Sequence, residues 1–96
     1  MSHRVEGKIT KISESGNLVT DITNDQLNQT PRDATTSIRF SGHETICLYD
    51  SGHQEPETTM VAMLSDAGFL EIEIVGMNLA EMLGIQVGES VYVCWE

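Results

Sequence analysis

The sequence predicts a mostly β domain, a small barrel of six to seven short strands with one or two short helical turns. Three observations carry this. Seven short apolar or alternating runs follow one another at close spacing. Clusters of Gly, Asn, Asp and Ser separate them. The length, 96 residues, suits one domain spanning positions 1–96 with a single modest core. No internal repeat, low-complexity run or domain boundary interrupts it. With 40% apolar residues the chain is expected to fold. Phe40, Tyr49, Phe69, Tyr92 and Trp95 are its whole aromatic set, so Ile, Val, Leu and Met must build the core.

Taken in order, Arg4 to Ile12 alternates Val5, Gly7 and Ile9 with charged residues and then loses phase, which predicts a strand bulged at Gly7. Ser13 to Asn17 is a turn in which Gly16 or Asn17 can take positive φ. Leu18 to Ile22 completes a hairpin. Thr23 and Gln26 have capping-box spacing and predict one helical turn before the polar loop around Pro31. Thr36 to Ser41 is a strand, Gly42-His43 a tight turn, and Thr45 to Tyr49 the return strand, with Ile46 and Leu48 as its apolar pair. A loop, Asp50 to Thr58, precedes the apolar run Met60 to Leu64, short enough for a buried strand. Ser65 to Gly68 turns the chain. Phe69 to Val75 then alternates, with Leu70, Ile72 and Ile74 as the core face and Glu71 and Glu73 on the solvent face. Asn78-Leu79-Ala80-Glu81 reads as an N-cap, and Gly84 closes that helix. Glu89 to Trp95 is the last strand.

Fifteen Asp and Glu against five Lys and Arg give a net charge of −10. Such a field repels phosphate backbones and anionic lipid, so neither nucleic acid nor a membrane is an expected partner. The N-terminal segment has no apolar run resembling a secretory signal, and no stretch approaches the ~20 apolar residues of a membrane-spanning helix. A cytoplasmic location is expected by default. Cys47 and Cys94 form no CxxC pair and read as small apolar residues inside strands, with spacing alone leaving their pairing open.

Candidate chemistry is sparse. His43 and His53 lie ten residues apart in predicted turns, with Asp50 and Glu55 nearby. Their spacing lacks the regularity of a zinc site, and exposed loop histidines are the expected reading. No nucleophile elbow, phosphate loop or dinucleotide fingerprint occurs. The carboxylates of Glu71 and Glu73 are expected to be solvated.

Two segments together carry a resemblance. The first is Gly7-Lys8-Ile9 followed by Ser15-Gly16-Asn17-Leu18-Val19-Thr20-Asp21-Ile22. The second runs from Ser65-Asp66-Ala67-Gly68-Phe69-Leu70-Glu71-Ile72 through Gly76-Met77-Asn78-Leu79-Ala80-Glu81-Met82-Leu83-Gly84 to Val87-Gly88-Glu89-Ser90-Val91. In order and spacing they resemble the C-terminal domain of the S-adenosylmethionine hydroxide adenosyltransferases, the family of the S-adenosylmethionine hydrolases and the fluorinating and chlorinating enzymes. The resemblance implies a small β barrel. It places the catalytic aspartates in a separate N-terminal α/β domain and the ligand between domains of neighbouring subunits. Asn17 would match an asparagine that contacts adenine, after a phenylalanine that is Ser15 here. Asn78 and Leu79 would match a pair whose backbone approaches adenine. Asp66 stands where the family has a serine holding the methionine end, and Ala67 where the halogenating enzymes have an arginine. A carboxylate at Asp66 would repel that of methionine. Backbone demands alone also suit Asn17, in a positive-φ turn, and Asn78, at an N-cap.

The expected function is that of a non-catalytic, stand-alone binding or interaction module, without a cofactor. Asn17, Asp66, Asn78 and Leu79 are its candidate ligand residues, for an adenosine-type ligand or S-adenosylmethionine. A homo-oligomer is an expected partner state. The alternative is an accessory chain completing the active site of a separately encoded catalytic domain. A weaker third reading is metal binding through His43, His53 and Glu55.

Overall fold

The computed structural model describes residues 2–96, which form one curled eight-stranded sheet, half of a barrel, together with one short helix and one 3-10 turn. The strands are β1 (His3–Ile12), β2 (Leu18–Thr23), β3 (Ser37–Phe40), β4 (His43–Ile46), β5 (Tyr49–Asp50), β6 (Met60–Leu64), β7 (Phe69–Ile74) and β8 (Ser90–Trp95), and the helix α1 is Leu79–Leu83. Their order across the sheet is β4-β3-β8-β1-β2-β7-β6-β5. All pairs are antiparallel except β5 with β6.

β1 joins the two halves. Its segment His3 to Lys8 pairs with β8, and Ile9 to Ile12 pairs with β2. The bulge falls between Ile9 and Lys11, not at Gly7. Gly7 answers to crowding instead: a Cβ there would lie 2.4 Å from the Asp21 carboxylate and 2.5 Å from Ile22 Cγ1. The bend lets β1 leave one half of the sheet and enter the other, which is how a bulge curves a sheet. Curling brings β4 towards β6, where Thr45 Oγ1 donates to the Met60 carbonyl at 3.1 Å.

The inward faces of these strands form one core. Ile9, Leu18, Ile22, Ile38, Phe40, Leu70, Ile72, Val91 and Val93 are buried in it. Leu27, on the 3-10 turn Asp25–Leu27, and Leu79, on α1, close its ends. The alternation read for β7 holds: Leu70, Ile72 and Ile74 are buried and Phe69 is exposed. The capping box also forms. Gln26 N–H donates to Thr23 Oγ1 at 3.2 Å, and Gln26 Oε1 accepts from Thr23 N–H at 2.9 Å.

The stretch Thr45 to Tyr49 differs from the expected return strand. The hairpin turn is Ser41-Gly42, both with positive φ, so His43 already pairs with Phe40. β4 then stops at Ile46, because Cys47 has a φ of 70° and breaks the ladder. The two residues expected as an apolar pair are thereby split: Ile46 is 48% exposed, while Leu48 is 4% exposed. Tyr49 and Asp50 continue as β5, parallel to β6. Cys47 therefore lies in a link rather than a strand. Ser37 of β3 pairs with Ile46 on one side and Cys94 on the other, so β3 separates the two thiols. Two strand spacings, about 10 Å, exceed the reach of a disulfide, and both cysteines are free.

Thr58 also has a φ of 70°. A β-branched residue is strongly disfavoured there. Its side chain is exposed, so replacement removes no core contact. Thr58→Gly is expected to raise the unfolding free energy by about 1 kcal/mol, net of glycine's extra unfolded-state freedom. Urea titration checks this, and an unchanged or lower midpoint would contradict it. Among the described residues no helix is long and apolar enough to cross a membrane.

Candidate functional site

The loop between β1 and β2 meets the start of α1. Gly16 takes a φ of 91°, which glycine alone adopts freely. Its carbonyl accepts from Ala80 N–H at 3.0 Å, which fastens the loop to the helix. A Cβ on Gly16 would lie 2.1 Å from Asn78 Oδ1 and 2.8 Å from Asn78 Cα. Asn78 is the N-cap of α1, with Oδ1 accepting from Glu81 N–H at 2.9 Å. Gly84, at φ 67°, ends the helix as the sequence predicts.

Beside this junction lies a pocket of about 280 Å³ lined by Ser15, Asn17, Glu73, Ile74, Gly76, Met77 and Asn78. Small-molecule sites begin at about this size. Of the four candidate ligand residues, the fold brings Asn17 and Asn78 together here. Leu79 follows Asn78 in sequence, but its side chain is 0% exposed and belongs to the core. Asp66 lines a different pocket, with Asn24, Arg32, Asp50 and Ser51, and accepts from Ser51 Oγ at 2.8 Å.

The two asparagines differ in what the backbone asks of them. Asn78 is used as a cap. Asn17 is not needed for positive φ, since Gly16 supplies it. Its main-chain N–H donates to Ser13 Oγ at 3.0 Å and its carbonyl accepts from Ser13 N–H at 3.0 Å. Among the described residues its side-chain amide has no hydrogen-bond partner.

Two features beside the pocket were not legible beforehand. Glu73, expected on the solvent face, has a side chain only 19% exposed, and His53, expected to be an exposed loop histidine, only 10%. Their Nε2 and Oε1 atoms lie 2.6 Å apart. The loop before β6 folds back along β7, with Thr58 N–H donating to the Val75 carbonyl at 2.9 Å, and this delivers His53. The Tyr49 ring meets the His53 ring edge-on, centroids 5.9 Å apart. Burial first, and then the Glu55 carboxylate, hold the Tyr49 phenol above its ordinary pKa. His43 is engaged elsewhere, against the Phe40 ring. Among the described residues no three His, Cys, Asp or Glu side chains gather as a metal-binding group.

A curled half-barrel with a pocket at a loop–helix junction is the class these features define. The chain belongs to the family of the SAM hydroxide adenosyltransferase C-terminal domain, whose model matches residues 7–92. Two of the solved structures similar to this chain are uncharacterised proteins. An uncharacterized conserved protein from Thermotoga maritima has a TM-score of 0.77 and 20% identity over 93% of this chain. A conserved hypothetical protein from Thermus thermophilus has a TM-score of 0.70 and 25% identity over 92% of this chain. The matched regions are 35% and 34% of those proteins, so this chain spans about a third of their length. No curated protein matches it.

Proposed function

We propose that this chain is a non-catalytic binding module of its family, and that the pocket at Asn17 and Asn78 takes an adenine nucleoside or S-adenosylmethionine weakly. The observation that carries this reading is the Asn17 side-chain amide. It lines a small-molecule-sized pocket, has no partner among the described residues, and is not required by the backbone. An amide presents a donor and an acceptor side by side, which suits the paired groups on a purine edge. The pocket sits at the lower limit of ligand sites, consistent with affinity no better than high micromolar.

Calorimetric titration with adenosine tests the reading. The expected result is weak binding that falls roughly tenfold in Asn17→Ala, since one or two hydrogen bonds of ordinary strength are lost. No heat at millimolar adenosine would reject it.

A second reading is favoured by the exposed methionine at the pocket's rim. Met77 is 39% exposed, and Met82, on α1, is 53% exposed. Exposed apolar side chains beside a pocket and on the neighbouring helix suit a surface that a second polypeptide covers. On this reading the chain completes the active site of a separate catalytic domain. Light scattering on the titrated sample distinguishes a self-assembled species from a monomer awaiting another partner.

A further inference from the structure

We infer that Glu73, held in place by His53, is the specificity-determining acceptor of the pocket and selects ligands that present an amino group, an amino-purine over an oxo-purine. This rests on the nucleoside reading above. The geometry begins with the histidine. Its Nδ1 accepts from Glu55 N–H at 3.2 Å, so Nδ1 carries a lone pair and the ring proton sits on Nε2. Nε2 therefore donates to Glu73 Oε1 across 2.6 Å.

That bond removes the carboxylate's freedom to turn into solvent. With His53 10% and Glu73 19% exposed, the pair is largely shielded from water. One carboxylate oxygen is occupied. The other has no partner among the described residues, and Glu73 lines the pocket. A carboxylate can only accept, and a partly desolvated acceptor without a donor favours a ligand that brings one. Asn17 offers both a donor and an acceptor and accommodates either kind of base edge. Glu73 has no such latitude. A 6-amino group satisfies its free oxygen, whereas a 6-oxo group sets two acceptors against each other.

The experiment compares adenosine with inosine on the wild-type chain and on Glu73→Gln, by calorimetric titration. The two nucleosides share their ribose, so a difference reports on the base edge. Wild type is expected to bind adenosine roughly tenfold or more tightly than inosine, the lower end of what a charge-assisted hydrogen bond contributes. In Glu73→Gln, whose amide can also donate, that ratio is expected to fall close to one. His53→Ala frees the carboxylate and is expected to narrow the ratio without reversing it. Equal binding of the two nucleosides by wild type would overturn the inference and leave the nucleoside reading standing. A preference for adenosine that survives unchanged in Glu73→Gln would also overturn it. Absence of binding for both nucleosides at millimolar concentration would overturn both readings. Thermal melts of each variant exclude loss of fold as the cause of weakened binding.

Discussion

Gly16→Ala is expected to destabilise the fold by about 3 kcal/mol, lowering the melting temperature by roughly 15 °C. Two effects combine. The backbone at φ 91° is one that an L side chain rarely adopts. The new Cβ would also lie 2.8 Å from Asn78 Cα, and backbone cannot step aside as a flexible side chain can. Relief requires the β1–β2 loop to withdraw from α1. The Gly16 carbonyl would then lose Ala80 N–H, and the helix would lose its latch. The pocket is built from both pieces, so a variant that still folds is expected to lose any binding at Asn17. Thermal unfolding followed by circular dichroism checks the first part. A loss under about 1 kcal/mol would show that the loop relaxes without cost and that the junction is soft.

The second large effect lies inside the sheet, where the β2–β7 ladder slips between Val19 and Thr23. Thr20 sits in this gap, 1% exposed. Its Oγ1 donates to the Leu70 carbonyl at 2.8 Å and accepts from Ile22 N–H at 3.2 Å. One hydroxyl thus stands in for the ladder bonds that the irregularity removes. Thr20→Val keeps the shape and deletes both hydrogen bonds in a dry site. We expect a loss of about 2 kcal/mol, because buried groups stripped of a partner cost more than the bond itself contributed. Thr20→Ser is the control. It keeps the hydroxyl, removes one methyl, and is expected to cost about half as much. If Val is tolerated better than Ser, the methyl and not the hydroxyl holds this position.

Much of this fold was legible in advance because its signals are local. β7 was readable from Leu70, Ile72 and Ile74, since a half-buried strand imposes a two-residue period. α1 was readable from its termini, where Asn78 caps and Gly84 takes φ 67°, because orphaned helix-end groups demand particular residue types. The family, too, was carried by motif order along the chain, and its model matches residues 7–92.

Other features have no local signal. Nothing around Cys47 announces a φ of 70°, so the end of β4 and the start of β5 could not be placed. The break follows from where Leu48 must go to reach the core while Ile46 stays outside. The bulge in β1 was set by how the strand shares itself between β8 and β2, and so it fell past Gly7.

The site divides in the same way. The sequence by itself determined one mostly β domain, its turn glycines, its cap asparagine and its acidic balance, all consequences of backbone geometry and composition. Only the tertiary structure decided that Asn17 and Asn78 share a pocket while Asp66 lies in another. It also decided that Glu73, nominally on the wet face, is roofed by a histidine from a loop 20 residues earlier. The physical reason is one of range. Alternation and capping are settled within a few residues, whereas a side chain's burial and partner depend on which distant segment the curled sheet brings over it.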